Sequence, residues 1–280
     1  MSISYRPITT HAEYRAAETI QQIVWGRAAG TVVPDHMLLT AQKNGGLLLG
    51  AFDSEAREHE QLIGIVFGIL GLSKTGKLKH CSHLLAVLPE YTNQRVGEQL
   101  KWQQRTYVLA QGIDWISWTY DPIESRNAHL NIHKLGAVCQ IYWRDLYGSM
   151  TDGLNAGLPS DRFEVDWHLN APHVVARSQS AGSAAYEIPH DIEVLNPAPA
   201  DPALPAALCQ PPTGSHALIR FPSTFQQLKT THPSSALAWR LQLRELCEMA
   251  FAQGYQVVGL QRGNDASYYL IARREEGASL

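Results

Sequence analysis

The stretch His83 to Leu100, HLLAVLPEYTNQRVGEQL, holds the arrangement of residues best suited to chemistry. An apolar strand runs into a short polar loop and then directly into a helix. The loop's backbone N–H groups and those of the first helical turn point together, which makes a site for an anion such as a pyrophosphate. Two other phosphate cradles are excluded. A dinucleotide fingerprint needs G-x-G-x-x-G with an acidic residue about twenty positions on, and a P-loop needs G-K-[ST] after four spacers. Neither pattern occurs. Two histidine pairs have ligand-like spacing, His129 with His133 on a helix and His80 with His83 on a strand. No HExxH and no cysteine partner accompanies them, so no metal is expected.

The elements that must position this stretch follow from hydrophobic spacing and punctuation. Residues 2–8 read as a strand, and Thr10-His11-Ala12-Glu13 is a capping box that opens a helix to about Trp25. Its apolar stripe is Ala16, Ile20, Ile23 and Val24. A short helix follows over Asp35 to Gln42, then strands over Gly46 to Phe52 and Leu62 to Leu72. The second is uniformly apolar and therefore central. His80 to Leu88 is a strand ended by Pro89-Glu90-Tyr91. The helix from Gln94 to Ala110 turns Val96, Leu100, Tyr107 and Val108 inward and stops at Gly112. Ile113 to Tyr120 is a strand broken by Asp121-Pro122. Ser125 to Leu135 is a helix closed by Gly136, and strands over Ala137 to Trp143 and Phe163 to Leu169 follow. Between Asn170 and Pro212 alanine, proline and serine dominate, which reads as a loose connection. Beyond it come a strand at Ala217 to Phe221, a helix at Ser234 to Gln253 and a hairpin around Gly263-Asn264-Asp265. The stripe of that last helix is Trp239, Leu243, Leu246 and Ala250.

Composition narrows the partners. The 280 residues are 45% hydrophobic and 18% charged, with a net charge of −3, so a core can form and no basic stripe marks a nucleic-acid footprint. A small molecule or a second copy of the chain is the expected partner. The N-terminus, MSISYRPITT, has neither a charged n-region nor an apolar h-region, so no signal peptide is expected. The apolar run Leu62 to Leu72 is too short to span a bilayer, and no membrane partner is expected. Four widely spaced cysteines, Cys81, Cys139, Cys209 and Cys247, form no CxxC and read as free thiols of a reducing compartment. The expected location is cytoplasmic.

Val87-Leu88-Pro89-Glu90-Tyr91 and the loop after it resemble the pyrophosphate loop of the GNAT acyltransferase superfamily. There the strand ends in V-x-P-E-Y and the loop reads [QR]-x-x-G-x-[GA]. Here Thr92 replaces the usual Gln or Arg, Arg95 replaces the first glycine and Gly97 keeps the second. Arg95 puts a side chain where glycine permits close approach, and it also brings a cation to the phosphates. The element string β-α-α-β-β-β-α-β-α-β-β is similar to the family's core. Lys134-Leu135-Gly136-Ala137 is similar to the family's K-L-G-F ending. Trp118-Thr119-Tyr120-Asp121-Pro122 is similar to a W-T-[YF]-D-P signature of one branch with a C-terminal extension. The resemblance covers about residues 2–170.

The resemblance implies an α+β fold, with a GNAT-like central mixed, mostly antiparallel sheet flanked by helices, plus a small C-terminal β-α-β-β unit. It implies a domain over 1–170, a Pro/Ala-rich linker over 171–212 and the extension over 213–280, whose apolar stripe suggests a homodimer or a lid. It implies acetyl-CoA or another acyl-CoA as co-substrate, with no metal, and transfer of the acyl group to a small-molecule amine by direct attack through a tetrahedral intermediate. Leu85, Ala86 and Val87 would pair with the pantetheine amides. Asn93, Gln94, Arg95, Val96, Gly97 and Glu98 would hold the pyrophosphate, with Asn127 near coenzyme A.

The family's usual acid, a tyrosine, falls at Ile132. Tyr120 or Tyr142 would replace it, or the thiolate would leave unaided. The usual base falls near Cys81, and His83 shares its face by strand alternation and titrates in the useful range; a hydrogen-bonded structural histidine is the alternative. Asp121 would bind or deprotonate the amine, or start a turn. Asn155, Asp161 and Arg162 would line the acceptor pocket, or Asp161 and Arg162 would pair with each other. Two other functions fit the residues, a non-enzymatic acyl-CoA sensor or scaffold and an acyltransferase acting on a peptide or protein amine.

Overall fold

The computed structural model describes residues 2–26, 32–55, 60–150, 156–180, 191–199, 201, 203–207 and 209–274. The chain forms two compact units, one from residues up to Trp118 and one from the described residues beyond it. In order, the first holds β1 (Ile3–Pro7), α1 (His11–Trp25), α2 (Asp35–Lys43), β2 (Leu47–Asp53), β3 (Gln61–Leu72), β4 (Leu78–Val87), α3 (Val96–Ala110) and the start of β5 (Trp115–Tyr120). Its strands lie in the order β1-β2-β3-β4-β5. All neighbours are antiparallel except β4 and β5, which run parallel. This is the mixed, mostly antiparallel sheet flanked by helices that the resemblance implies.

Local sequence explains these elements. The capping box forms as read. The Glu13 N–H donates to Thr10 Oγ1 at 3.3 Å, and the Thr10 N–H donates to Glu13 Oε2 at 3.0 Å. Along α1 the buried residues are Tyr14, Ala17, Ile20 and Gln21, whereas Ile23 faces solvent. The expected stripe is therefore rotated. Gln21 can occupy the core because its side chain bonds the main chain of Ala17 and Val33. β3 is buried from Leu62 to Gly68, then emerges, so Ile69, Leu70 and Leu72 are on the surface and only part of the apolar run is central. A Cβ at Gly68 would sit 2.2 Å from His80 Nε2 and 2.7 Å from the Cys81 carbonyl oxygen, so only glycine fits there.

The second unit holds α4 (Ser125–Ala128), β6 (Val138–Trp143), β7 (Arg162–His168), α5 (Pro172–Gln179), β8 (His216–Pro222), α6 (Phe225–Thr231), α7 (Pro233–Ala252), β9 (Tyr255–Arg262) and β10 (Ala266–Arg273). Its strands lie in the order β7-β6-β9-β10-β8 and are antiparallel throughout. The C-terminal β-α-β-β segment thus shares a sheet with β6, through Cys139 opposite Val257. Trp239, Leu243, Leu246 and Ala250 are buried along α7, as their spacing predicts.

Two departures stand out. The helix read over Ser125 to Leu135 keeps α geometry for one turn and then widens to a π-helical turn over His129–Lys134. The stretch read as loose connection holds α5, opened by Pro172 at a first-turn position where its missing N–H costs nothing. It also holds Leu195 and Asn196, both buried. The Asn196 amide exchanges two 2.8 Å bonds with the Arg220 main chain and so covers the outer edge of β8.

All four cysteines are free. Among the described residues no group of three or more His, Cys, Asp or Glu could hold a metal, and no helix is long and apolar enough to cross a membrane.

Candidate functional site

The sheet of the first unit opens where the sequence places its anion site. The parallel ladder of β4 and β5 consists of His80 opposite Ile116 and Cys81 opposite Ser117. Beyond those pairs β4 continues to Val87, paired on its other side with β3. The Leu88 N–H donates to the Ile63 carbonyl at 2.9 Å. Antiparallel alternation then turns the Ala86 N–H toward β3 and the N–H and C=O groups of Leu85 and Val87 toward the opposite edge. That edge has the pattern an extended amide chain needs in order to add as a strand.

β4 passes through a single 3₁₀ turn, Pro89–Tyr91, into the loop. Tyr91 donates to Asp53 Oδ2 at 3.1 Å, which ties the turn to the end of β2. Thr92 Oγ1 donates to the Pro89 carbonyl at 2.7 Å, and the Gln94 amide donates to the Glu90 carbonyl at 3.1 Å. Asn93 and Arg95 are left-handed, at φ 68° and 62°. Arg95 is the N-cap of α3, its carbonyl accepting the Gln99 N–H at 3.0 Å. Alternating left-handed residues before a helix curl successive N–H groups into an anion-binding concavity, and the first helical N–H groups add to it.

Arg95 therefore adopts a left-handed geometry of the kind that glycine takes without strain. Its guanidinium folds back on Glu98, with Nε to Oε2 at 3.0 Å and Nη2 to Oε1 at 2.7 Å, and Glu98 is buried. The cation is spent on an internal carboxylate, and pairing with Glu98 pushes the Arg95 pKa up. Gly97 has ordinary backbone angles. A Cβ there would meet Leu85 and Val87 side chains at 3.5 and 3.6 Å, ordinary contact distances.

His83 lies on β4 at the register shift between Phe67 and Gly68, is exposed, and stands edge-on to Phe67 at 6.0 Å. The remaining catalytic candidates belong to the second unit, where Phe163 packs edge-on to both Tyr120 and Tyr142. Tyr269 donates to the Pro122 carbonyl at 2.6 Å, so the 3.0 Å contact between the two phenols has Tyr120 donating to Tyr269. Tyr142 donates to Asp161 Oδ2 at 2.7 Å. Burial pushes both phenol pKa values well up, Cys139 adding to the effect at Tyr120 and Asp161 at Tyr142.

Asp121 accepts the Ile123 N–H at 3.0 Å, which is the turn-starting role, and is gripped by both Arg240 nitrogens at 2.5 and 2.6 Å. Burial alone would lower the Arg240 pKa, but Asp121 more than offsets it. Asp161 and Arg162 do not pair side chain to side chain. Asp161 is held by Arg244 at 2.9 Å through both oxygens, and Arg162 lies 3.7 Å from Asp121. Asn127 is exposed on α4, Ile132 is fully buried, and Asn155 lies outside the described residues.

Sequence reasoning missed the polar group under α3. Lys101, Gln104, Ser82 and His80 are all buried and mutually bonded. The signal was present: Gly97, Lys101, Gln104 and Val108 follow helical spacing, so a lysine and a glutamine occupy an inward stripe. Arg240, Arg244 and Tyr269 were also missed, because partners 83 to 149 residues away leave no local pattern.

No sequence family matches the chain, and no curated protein matches it in sequence. Solved structures similar to it include the NatC complex bound to Gag peptide and CoA, at 17% identity over 60% of this chain and 99% of that chain, with a TM-score of 0.49. Arabidopsis thaliana NAA60 in complex with a bisubstrate analogue is 14% identical over 60% and 100%, with a TM-score of 0.47. The ribosomal-protein-S18-alanine N-acetyltransferase from Escherichia coli is 15% identical over 59% and 92%, with a TM-score of 0.43.

Proposed function

We propose that the chain is an acyl-CoA-dependent N-acyltransferase acting on a small amine. The observation that carries this reading is the continuous path from the unpaired β4 edge at Leu85 and Val87, through the 3₁₀ turn, into the curled loop at the start of α3. An acyl-CoA fits it piece by piece. The pantetheine amides add to the β4 edge, and the N–H groups of Asn93 to Glu98 hold the pyrophosphate. The Val87 N–H polarises the thioester carbonyl and stabilises the oxyanion formed when the amine attacks. Collapse of that tetrahedral species breaks the C–S bond, leaving an amide and coenzyme A.

The proton steps are light. Tyr120 and Tyr142 both direct their protons inward and Ile132 is apolar, so the thiolate leaves without a phenolic acid, which its acidity permits. His83, the exposed member of the candidate set, takes the ammonium proton through water. Asp121 and Asp161 act through their arginines as architecture of the second unit.

Incubation with acetyl-CoA and a pool of amino acids and polyamines, followed by free-thiol release, tests the reading. Turnover supports it. Thermal stabilisation by acetyl-CoA without turnover on any amine replaces it with an acyl-CoA-binding module. Absence of stabilisation by any acyl-CoA overturns it.

A further inference from the structure

The fork between β4 and β5 has a side chain at its apex. Ser82 and Trp118 are the residues directly after the last ladder pair, Cys81 opposite Ser117. Lys101 reaches both from α3. Its Nζ donates to Ser82 Oγ at 3.0 Å and lies 3.7 Å from the centre of the Trp118 ring. A third contact, 2.7 Å to Gln104 Oε1, fixes the head group from its own helix. Gln104 is fixed in turn by Ser82 at 3.1 Å and by His80 at 3.1 Å.

This is an expensive residue for the place. Lys101 is 2% exposed, and burial lowers its pKa well below the ordinary lysine value. An aliphatic side chain on this inward stripe would avoid the desolvation of an ammonium. The three contacts suit an ammonium, two acceptor oxygens and one aromatic face. One acceptor and the aromatic face come from the two strands that part here. Past this point the edges of both strands offer N–H and C=O groups that would otherwise continue the ladder.

We propose that Lys101 is a positioning residue that wedges β4 from β5 at Ser82 and Trp118 and thereby keeps the Leu85 and Val87 edge unpaired. That the edge receives an acyl-CoA rests on the function proposed above; the wedge itself does not.

Amide hydrogen exchange of Leu85 and Val87 in the free protein, for wild type and Lys101→Met, separates the two claims. Methionine keeps the length of the side chain and removes its donors. In the wild type these two amides should exchange at least tenfold faster than the β3-bonded amide of Leu88. In Lys101→Met they should slow at least tenfold as the ladder extends, and coenzyme A affinity by calorimetry should fall at least tenfold. Unchanged or faster exchange at Leu85 and Val87 in the variant overturns the wedge, whatever coenzyme A does. Slowed exchange with no coenzyme A binding by either protein upholds the wedge and removes the acyl-CoA occupant. If Lys101→Met does not fold, Ser82→Ala, which removes the β4 contact of Lys101 and the Ser82 bond to Gln104, takes its place, with slowing of the same two amides expected and its absence decisive against the wedge.

Discussion

Replacing Arg95 by glycine removes a side chain from a left-handed position, and the naive expectation is a more stable protein. The structure predicts otherwise. A non-glycine residue in the left-handed region costs about 1–2 kcal/mol, which glycine at φ 62° would relieve. Glycine returns about 0.5–1 kcal/mol of that through its greater freedom in the unfolded chain. The deciding contribution is Glu98. Its carboxylate is 6% exposed and loses both guanidinium bonds, which costs about 1–3 kcal/mol for a buried acceptor left without its partner. The balance is a net loss of about 1 kcal/mol, or a Tm lower by about 2–4 °C for a chain of this size. Arg95→Gly with Glu98→Gln removes the stranded charge and should recover the wild-type Tm or exceed it. Thermal unfolding of the ligand-free protein, followed by circular dichroism, measures both. If Arg95→Gly alone raises the Tm by more than about 2 °C, Glu98 does not depend on Arg95 and the account of this loop is wrong.

Other outcomes follow from the same geometry. Gly97→Ala should keep the fold within about 0.5 kcal/mol and keep acetyl-CoA stabilisation, since its Cβ meets only ordinary contacts, whereas Gly97→Trp should abolish the stabilisation in a thermal-shift assay. Tyr91→Phe should cost about 1–2 kcal/mol in urea unfolding, because it leaves the buried Asp53 carboxylate short of a donor. Arg240→Ala should cost about 3–5 kcal/mol by stranding Asp121. His80 has its pKa lowered to about 4, first by burial and then by Lys101. Its folded value lies below the unfolded one, so stability is complete above about pH 6.5 and is lost as pH falls toward 4, by up to about 3 kcal/mol. His80→Gln should flatten that part of the stability–pH curve measured by urea unfolding.

Much of the fold is legible in residue order because it is locally encoded. The capping box at Thr10, the glycines that close helices and the apolar run of β3 each act over a few residues. The passage from β4 through the loop into α3 is equally local, since strand, loop and helix start follow one another along a single stretch. What could not be read is what depends on distant partners. Gln21 displaces Ile23 from the core because Val33 offers main-chain bonds. Tyr120, Tyr142 and Asp121 looked like reactive groups, yet Tyr269, Asp161 and Arg240 absorb their donors and charge. The π-helical turn at His129–Lys134 likewise has no sequence signature, since its residues suit an ordinary helix.

The antiparallel join of β6 to β9 sets an order of events in synthesis. β6 and β7 leave the ribosome with one edge of their pair unfilled, and the strands that fill it are made about a hundred residues later. Until then β6 offers its main chain to any passing strand. The first unit, whose strand neighbours are close in sequence, can assemble during that interval, while the second must wait for long-range pairing that slows folding. Growth of the chain at low temperature, or with a holdase chaperone, should therefore raise the soluble yield of the full chain.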